Sequence, residues 1–514
     1  MTRGSGSFAS SIKMKTLLIS LLPTTENFGV KYIHSCLLQE GQESAILFLP
    51  QHSPAVKPQL LAFIDRMQPQ LIGCGFMSYE APFAAFIGRT IKERYPHIPF
   101  LAGGIHPTIN PEECLEYADF VCIGEGEETV LEIVRALETG GSITSIRNVA
   151  YKNGGEIKTN PLRPLIDDLD RLPFPGHMPA HSYVCNGKAI LPMDLKLFRH
   201  HTRYDGKAYN IITSRGCPFS CSYCCNSFLS RLYETKKIRK RTPENVIEEL
   251  RAVIKQFPDM ILINIHDDCF LAHSREWHNE FVSGYRKWID RPFIVRSTPL
   301  HLTEEKVQTL KQAGLAWVTM GLQSGSERIN KEVYHRHVSN EKFLEATEVA
   351  RKYGVSGYYD VILDNPFDEE EDKINTLRVL QKIRKPFQLQ LFTLTFYKGT
   401  EIYDMLHEKL GSIDLGIRNY FNYRLTFLNK LVRISPLISS GMLNFFIEHR
   451  KNSMVNLILY ILYFLIVVLV EPVSYFYLML RAFNYNLLLT LRIALPTFKT
   501  KIRERIMSFG FSSS

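Results

Sequence analysis

The sequence predicts an α/β protein with two domains and a hydrophobic helical extension. Apolar strands alternate with amphipathic helices from Leu17 to about residue 140, and the same alternation resumes from Tyr209 to Leu394, which predicts the two domains. The extension is predicted because 26 of the 27 residues in Met454–Leu480 are uncharged. With 514 residues, the chain is long enough for two or three domains with separate cores.

The pattern divides the chain into six segments. They are a Gly/Ser-rich leader expected to be disordered (1–15), a first domain (16–140), a proline-broken connector (141–205), a second domain (206–402), a helical region (403–452) and a hydrophobic tail with a basic end (453–514). The apolar run after the leader is short and has no small-residue cleavage site. It therefore predicts a first buried strand rather than a signal peptide.

Five strands are predicted in the first domain, separated by helices and loops. They are Leu17–Leu22, Ala45–Leu49, Leu71–Phe76, Phe100–Ala102 and Phe120–Ile123. This order predicts a doubly wound parallel sheet. We expect its ligand beyond the carboxyl ends of the strands, where Gly103-Gly104 and the Gly124–Glu127 segment let the backbone come close.

Charge and cysteine content narrow the class of protein. The net charge is +9, but the basic residues form no stripe with interleaved aromatic residues, so we expect no nucleic-acid partner. Many of them lie near the end of the chain, which favours an anionic membrane surface. These are Arg481, Arg492, Lys499, Lys501, Arg503 and Arg505. The 10 cysteines favour a reducing compartment, and hence the cytoplasm, over a disulfide scaffold.

A cysteine-rich loop opens the second domain. Cys217, Cys221 and Cys224 follow the spacing Cys-x-x-x-Cys-x-x-Cys, which can hold three irons of a cubane cluster and leave the fourth iron open. A zinc site or buried structural thiols are the alternatives, but no second Cys/His pair follows to complete a zinc tetrahedron. Cys225 is not expected to be a fourth ligand, because adjacent side chains on a tight loop point apart.

This loop, with Tyr223 just before the third cysteine, resembles the signature of the radical S-adenosylmethionine (SAM) enzymes. The resemblance implies that the three cysteines hold a 4Fe-4S cluster and that SAM chelates the open iron. It also implies that one electron from an external reductant of the flavodoxin or ferredoxin type cleaves SAM to a 5′-deoxyadenosyl radical. Tyr223 would form a wall of the adenine site.

Later strand ends extend the resemblance. Gly321–Ser326 matches the family's Gly-x-Glu/Gln-Ser-Gly-Ser loop and assigns Gln323 and Ser324 to SAM. Six β/α steps are too few to close an eight-stranded barrel. The expected shape is therefore a partial (β/α)6 barrel, open on one side.

Charged residues at two other strand ends are also assigned to SAM. Asp267 and Asp268 follow the second strand, where the resemblance implies a contact with the SAM amino group; a capping pair on a solvated turn is the alternative. Arg296 ends the third strand and suits a carboxylate. No catalytic residue is assigned beyond the cluster.

The first domain resembles the Rossmann-like cobalamin-binding domain of one branch of this family. The residues that this resemblance assigns to cobalamin are Ser78, Gly103, Gly104, His106, Gly124, Glu125, Gly126 and Glu127. The Asp-x-His-x-x-Gly motif, whose histidine coordinates cobalt, is not found here, so any cobalamin would have no protein ligand to the metal. His106 is expected to be a structural loop residue. A scaffold that has lost its ligand is the alternative.

The tail is long enough to cross a bilayer, which takes about 20 apolar residues. Glu471-Pro472 interrupts it, however, which fits a re-entrant or interfacial hairpin nearly as well. A helical pair packed on the other domains, or a dimer seam, is the alternative.

Together these features predict a membrane-associated radical SAM enzyme with an apolar small-molecule substrate such as a lipid, an isoprenoid or a tetrapyrrole. The predicted reaction is cobalamin-dependent methylation of an unactivated carbon. Radical cyclisation, carbon–carbon joining or rearrangement is the second hypothesis. A non-catalytic iron–sulfur scaffold or redox protein is the third.

Overall fold

A computed structural model of the chain describes residues 13–411 and 421–496. The chain forms two compact units: Met1–Ile166 with Arg171–Thr202, and Asp167–Asp170 with Arg203–Ser514. The predicted leader, apart from its last three residues, and the basic end of the tail after Pro496 lie outside the described residues.

Unit 1 is built on a nine-stranded sheet. Its strands are β1 (Lys15–Ser20), β2 (Glu43–Phe48), β3 (Leu71–Gly75), β4 (Phe100–Gly103), β5 (Phe120–Cys122), β6 (Val149–Asn153), β7 (Glu156–Thr159), β8 (Ser182–Cys185) and β9 (Ile190–Pro192). Their order is β7-β6-β5-β4-β3-β1-β2-β8-β9. The strands from β5 to β8 in this order are parallel, so the doubly wound parallel sheet is confirmed.

Seven helices accompany this sheet in the described part of unit 1. They are α1 (Phe28–Gln39), α2 (Lys57–Met67), α3 (Ala81–Arg94), α4 (Ile105–Ile109), α5 (Pro111–Cys114), α6 (Glu127–Glu138) and α7 (Leu195–His201). Asn27 caps α1 by accepting a hydrogen bond from the Val30 amide at 3.2 Å. The apolar residues of α1 and α6 pack with those of β1 and β2, including Leu37, Ile133, Leu18 and Ile46.

The segment predicted as a connector, 141–205, contributes four strands to the unit 1 sheet, β6 to β9. They pair antiparallel at the two edges, except β8, which pairs parallel with β2. They are three to five residues long, and the side chains of β7 are largely exposed. Short edge strands with solvated side chains leave no apolar alternation, so the sequence pattern did not reveal them.

Unit 2 is built on a six-stranded sheet and a two-stranded ribbon. The strands are β10 (Ala208–Ile211), β11 (Ser214–Arg215), β12 (Arg239–Lys240), β13 (Leu262–Ile265), β14 (Phe293–Ser297), β15 (Leu315–Gln323), β16 (Ser356–Leu363) and β17 (Gln388–Thr393). The six-stranded sheet runs β10-β13-β14-β15-β16-β17, with every pair parallel. This consecutive order confirms the partial (β/α)6 barrel.

Helices alternate with these strands and then continue as a helical extension. They are α8 (Cys225–Leu232), α9 (Pro243–Gln256), α10 (Arg275–Trp288), α11 (Glu304–Gln312), α12 (Asn340–Lys352), α13 (Glu370–Lys382), α14 (Glu401–Leu410), α15 (Phe427–Ile434), α16 (Ser440–Glu448), α17 (Ser453–Leu465) and α18 (Glu471–Ala482). A π-helical turn, Ile466–Val470, joins α17 to α18. A shorter apolar helix follows at Leu487–Pro496.

The strands of the partial barrel present alternate side chains to an inner face. On β16, Tyr359 and Val361 are buried on the helix side, where Tyr359 packs against Phe343 of α12. Tyr358 and Asp360 alternate with them and are only half-buried. Since a six-stranded sheet of this kind does not close, this inner face is reached from the open side.

The apolar extension forms one continuous helix of 30 residues, Ser453–Ala482, and an 18-residue stretch of it has a mean hydropathy of 2.6. It is long and apolar enough to cross a membrane by length and composition. One side of its last turns, including Leu478, Met479 and Ala482, packs on Ala208 and Leu262 at the amino ends of barrel strands. The helix is therefore attached to unit 2 along one side.

Candidate active site

The cysteine loop begins directly after β11, a strand of the two-stranded ribbon. Gly216 has a φ of 105°, and a Cβ added there would lie 2.7 Å from the Lys237 carbonyl oxygen. Only glycine fits this approach of the loop to the segment before β12. The β11–β12 ribbon therefore sets the direction in which the three cysteines leave the sheet.

The middle of the loop is tied to two distant segments through Ser222. The Ser222 amide donates to the Tyr334 carbonyl at 3.0 Å, and its hydroxyl donates to the Val333 carbonyl at 2.5 Å. The Ser222 carbonyl accepts from the Ile402 amide at 3.1 Å. These bonds fix the backbone between Cys221 and Cys224, which suits a loop that must hold a cluster in one place.

The three cysteines share one locality. Burial, with smaller contributions from Asp268 and Cys224, raises the pKa of Cys217 to about 12. Burial also raises the pKa of Cys221, against the opposing effect of the Arg336 guanidinium. Each thiol therefore stays protonated until a metal displaces the proton.

The arrangement of the thiols differs from that of a single-ion site. Within residues 13–411 and 421–496, no three His, Cys, Asp or Glu side chains converge as ligands of one ion would. A cubane is larger and binds each cysteine to a separate iron. The three neighbouring cysteines could each bind one iron of such a cluster.

The structure corrects the expectation for Cys225. Its thiol forms a hydrogen bond with that of Cys224, which raises the pKa of Cys224 and lowers the pKa of Cys225. The two thiols interact even though Cys224 is extended (φ −108°, ψ 135°), a backbone in which successive side chains normally alternate, and Cys225 is the first residue of α8. Cys225 therefore contacts the predicted ligand directly.

Asp267 and Asp268 have different environments. Asp267 is buried and accepts hydrogen bonds from the Thr213 amide (2.6 Å), the Thr213 hydroxyl (2.5 Å) and the Ser214 hydroxyl (2.6 Å). Thr213 and Ser214 lead directly into the cysteine loop. The carboxylate of Asp267 thus holds the start of that loop and is not free to meet a SAM amino group.

Asp268 stands beside the loop itself. It accepts a hydrogen bond from Asn226, one residue after Cys225, and it interacts electrostatically with Cys217 and Cys224. It is accessible to solvent, yet surrounding protein raises its pKa. Of the two predicted aspartates, only Asp268 presents a carboxylate next to the predicted cluster ligands.

Arg296 belongs to a polar chain on the inner face. Its Nη1 donates to His266 Nδ1 at 2.8 Å, and His266 Nε2 lies 2.8 Å from Asn210 Oδ1. Because a guanidinium only donates, His266 is the neutral tautomer with its proton on Nε2. Burial and the charge of Arg296 hold the pKa of His266 well below its usual range.

The predicted SAM loop after β15 is bulged and firmly held. Gln323 has a φ of 64° and follows a register shift against β16, and its side chain is half-buried. Ser324 is buried, and its hydroxyl accepts from the Ser326 amide at 3.1 Å. Gln323 is therefore the accessible member of the pair, while Ser324 stabilises the loop.

Tyr223 lies against the loop that carries it. Its ring meets Tyr334 edge-on at 5.0 Å, and its hydroxyl forms a hydrogen bond with the Cys221 thiol. It also packs with Ile329 and Leu394. This places Tyr223 in the wall around the predicted cluster.

Two functional candidates were not predicted from the sequence. Arg336 is buried, donates to the Gly321 carbonyl at 2.7 Å and forms a hydrogen bond with Cys221. Asp360 faces both Arg296 and Arg336, and burial raises its pKa to about 7. An aspartate inside an otherwise apolar strand was the available signal for Asp360; Arg336 lies in an aperiodic segment and gave none.

In unit 1, several predicted cobalamin residues meet at the carboxyl ends of β3 and β4. Gly104 is exposed with a φ of 107°, and a Cβ there would lie 2.6 Å from the Phe76 carbonyl oxygen. Ser78 and His106 are buried and joined by a 3.0 Å hydrogen bond between Oγ and Nδ1. His106 is also 3.5 Å from Glu113. The His106 ring is therefore buried and held within its loop, as expected of a structural residue.

The second predicted segment follows β5, next to β4 in the sheet. The Gly124 amide donates to Thr108 Oγ1 at 2.9 Å, and Glu125 Oε2 accepts from the Ile166 amide at 2.9 Å. Gly126 and Glu127 are buried. Of the eight predicted residues, Gly103, Gly104, Gly124 and Glu125 leave backbone or side chain accessible at this edge.

Two exposed apolar residues at the same edge were not predicted. Met77 and Tyr79 follow β3 and are 42% and 40% exposed. Nearby, His52 stacks on Phe83 at 5.0 Å. An open glycine backbone beside exposed apolar side chains fits a large, flat ligand such as cobalamin held without a protein ligand to its metal.

Matches to models of protein families agree with the division of the chain into two units. A model of the Radical SAM superfamily matches residues 211–380, and a model of the B12 binding domain matches residues 14–134. The chain therefore belongs to the radical SAM superfamily, in the branch that carries a B12-binding domain.

Two relatives of the chain indicate the reactions found among similar proteins. The chain is 27% identical to an uncharacterized methyltransferase of Pyrococcus horikoshii over 76% of this chain and 83% of the relative. It is 23% identical to the anaerobic magnesium-protoporphyrin IX monomethyl ester cyclase of Rubrivivax gelatinosus over 77% of this chain and 68% of the relative. Similarity therefore extends to methyltransferases and to cyclases.

A solved structure shows the same fold. The radical SAM methyltransferase TsrM from Kitasatospora setae, with tryptophan substrate and a SAM analogue bound, superposes with a TM-score of 0.62 at 16% identity. The superposition covers 77% of this chain and 76% of that chain. This likeness shows the fold alone. The two family models are what make the chain a radical SAM enzyme, with a 4Fe-4S cluster, SAM and cobalamin as its cofactor class, as predicted.

Proposed function

We propose that this enzyme methylates an unactivated carbon of an apolar small molecule. The observation that carries the proposal is the cysteine loop, which is rigidly held at the carboxyl end of a partial barrel beside accessible charged groups. A second compact unit of B12-binding type supports methyl transfer over simple radical chemistry.

Three cysteines of the loop would hold the cluster: Cys217, Cys221 and Cys224. Around them, Asp268 presents a carboxylate suited to an amino group, and Arg296 a guanidinium suited to a carboxylate. Together these groups match the amino and carboxylate groups that the α-carbon of the methionine part of SAM carries. Gln323 would reach SAM from the next loop, while Asp267 and Ser324 would hold the loops in place.

In unit 1, Gly103, Gly104, Gly124 and Glu125 would lie along cobalamin, with His106 and Ser78 supporting the loop beneath. When bound, the cluster and SAM would supply the radical that removes a substrate hydrogen atom, and cobalamin would carry the methyl group. The residues of the chain orient these groups and exclude water from them. Arg336, through its contacts with Cys221 and Gly321, would keep the cluster loop aligned with the SAM loop.

The apolar extension supports an apolar substrate. An enzyme attached to a membrane surface meets lipids, isoprenoids and tetrapyrroles where they are dissolved. We place the enzyme in the cytoplasm at that surface, where a flavodoxin or ferredoxin can supply the electron.

Radical cyclisation is the second candidate. The observation that favours it is the 23% identity to the anaerobic cyclase, whose name gives a tetrapyrrole as its substrate. Methyl-labelled SAM distinguishes the two. Transfer of the label into a lipid or tetrapyrrole extract supports methylation; formation of 5′-deoxyadenosine without label transfer supports cyclisation.

The cluster assignment is tested by Cys221→Ala in anaerobically purified protein. We expect complete loss of the 4Fe-4S absorption and of SAM cleavage by dithionite, because two thiolates cannot hold the cubane. Cleavage of SAM by this variant would contradict the assignment.

Cys225→Ala is the matched control. It removes a thiol from the same loop that is not counted as a ligand, so iron content and SAM cleavage should stay near those of the wild type. If Cys225→Ala also loses the cluster, Cys225 is a ligand and the set of three is wrong.

A further inference from the structure

The long apolar helix leaves an unusual face uncovered. Between Met454 and Tyr477, its outward side carries Leu457, Ile461, Phe464, Leu469 and Val473, which are 53–67% exposed. We call this set the outer stripe. Contiguous apolar surface of this length is rare on soluble proteins and marks a binding surface.

The π-helical turn keeps the outer stripe continuous. Its residues are spaced by four, three, five and four positions, and the step of five, from Phe464 to Leu469, spans the turn Ile466–Val470. In an uninterrupted α-helix, that extra residue would rotate the second half by about 100°. With the π turn, both halves face the same way over the length of the stripe, about 24 Å.

The opposite side of the same helix is committed to unit 2. Leu478, Met479 and Ala482 pack on barrel strands, and Glu471, the one charged residue between Met454 and Leu480, pairs with Arg433 at 3.0 Å. A helix held this way cannot be surrounded by lipid. The structure therefore disfavours a transmembrane span and leaves one face available.

We propose that the outer stripe docks in the plane of an anionic lipid bilayer, with the helix lying along the surface rather than crossing it. This inference rests on the proposed function, which it deepens by naming the partner surface. Burial of apolar side chains to the depth of the acyl boundary, with the protein covering the other side, is the geometry of an in-plane anchor.

Charge favours lipid over a second copy of the chain. Exposed Lys451 precedes the stripe, next to Arg450, which pairs with Glu370. Exposed Arg492 follows it, after Arg481, which donates to the Arg351 carbonyl, and the chain continues with four more basic residues. Those are Lys499, Lys501, Arg503 and Arg505. Two stripes packed together, parallel or antiparallel, would bring basic ends into contact and repel each other. An anionic membrane instead attracts both ends.

Aromatic side chains near the stripe support the same partner. Tyr460, Tyr477 and Tyr485 are each more than 40% exposed. Lys430 stands 5.1 Å over the Tyr460 ring. Exposed tyrosines prefer the boundary between lipid headgroups and acyl chains.

Flotation tests the proposal with the full chain. Vesicles of phosphatidylcholine with one quarter phosphatidylglycerol, and vesicles of phosphatidylcholine alone, are mixed with the enzyme and centrifuged in a density gradient. We expect the wild type to float with the anionic vesicles and several-fold less with the neutral ones. The double variant Phe464→Glu/Leu469→Glu should float at least ten-fold less, because it places two charges in the stripe.

Leu195→Glu is the control, since Leu195 is 43% exposed in α7 of unit 1 and outside the stripe. It should float like the wild type. Wild-type protein that stays at the bottom with both vesicles overturns the proposal. So does a dimer that the double variant dissociates, because a second copy would then cover the stripe.

SAM cleavage in the same samples separates this inference from the proposed chemistry. The double variant should cleave SAM like the wild type, which also shows that it is folded. Loss of flotation with cleavage intact supports the surface. Flotation without SAM cleavage in the wild type would contradict the proposed function but leave the docking surface standing.

Discussion

Two aspartates of unit 2, Asp267 and Asp360, have opposite surroundings. Asp267 lies just beyond β13 and accepts three hydrogen bonds of 2.5–2.6 Å from Thr213 and Ser214. Asp360 lies within β16, and its Oδ1 is buried without a hydrogen-bond partner among the described residues. The same side chain is fully satisfied at one site and unsatisfied at the other.

This contrast indicates two roles: Asp267 stabilises the fold, whereas Asp360 is suited to binding a ligand. A buried carboxylate with several donors stabilises the backbone that carries them. A buried polar atom without a partner costs free energy, and its presence in a folded protein calls for another reason. At Asp360, a bound molecule with a hydrogen-bond donor, such as SAM or the substrate, would supply the missing partner.

Removing Asp267 should have the largest effect on stability. Asp267→Ala would leave one amide and two hydroxyls buried without an acceptor, at a cost of about 3 kcal/mol or more in the free energy of unfolding. Urea denaturation of the anaerobic apoprotein measures this. Because Thr213 and Ser214 lead into the cysteine loop, we also expect lower iron content after reconstitution.

Asp404→Ala is the comparison for this change. Asp404 is exposed on α14, so its removal should leave the denaturation midpoint and the iron content unchanged. If the Asp267 variant is as stable as the Asp404 variant, the three hydrogen bonds do not hold the loop, and the contrast with Asp360 is lost.

Asp360→Asn should have a smaller effect, and the effect should depend on pH. The folded protein raises the pKa of Asp360 from its ordinary 3.8 to about 7. Between these values, the folded state keeps a proton that the unfolded chain has lost, so stability falls as pH rises. The amide of the variant cannot titrate. The free energy of unfolding of the variant should therefore rise by about 2 kcal/mol relative to that of the wild type between pH 4 and pH 8. The shift in pKa alone would give a larger change, but solvent at this half-buried side chain weakens it.

Denaturation midpoints at a series of pH values check this prediction. The same variant should bind SAM or turn over more weakly, since an amide replaces the acceptor. A constant difference between the two proteins at every pH would show that Asp360 does not titrate in this range. In that case, the carboxylate has a partner that the geometry does not reveal.

The sequence predicted the strands and loops that surround Asp267 and Asp360 better than the contacts of these two residues. The order of strands, the cysteine loop and the SAM loop follow from apolar periodicity and local motifs, which are short-range signals. Asp267 was assigned to SAM because only its position after a strand was visible. Its partners, Thr213 and Ser214, lie more than 50 residues away, and only the fold brings them together.

The same limit explains Arg336 and the helical extension. Arg336 meets Cys221 and Gly321 only after the chain has formed the barrel, and it lies in a segment without periodicity. In the extension, composition predicted an apolar helix but not which side is covered. The side that faces unit 2 carries Glu471, which pairs with Arg433 of α15.

Glu471 is intermediate between Asp267, which has several partners, and Asp360, whose Oδ1 has none. Its substitution should have the smallest effect of the three. It has one partner, Arg433, and both side chains are partly exposed, at 27% and 23%. Arg433 also donates to Tyr423 at 3.0 Å. Glu471→Gln should therefore cost only about 1 kcal/mol, and less at high salt, because solvent screens the pair.

A double-mutant cycle with Arg433→Met measures the coupling between the two residues. We expect a coupling of about 0.5–1 kcal/mol, which is below the loss for Asp267→Ala. If Glu471→Gln were as damaging as Asp267→Ala, the ion pair would be the principal link between the apolar helix and unit 2. The contacts of Leu478 and Met479 alone would then not hold the helix in the Glu471→Gln variant. Without the ion pair, the helix could leave the barrel and enter a bilayer.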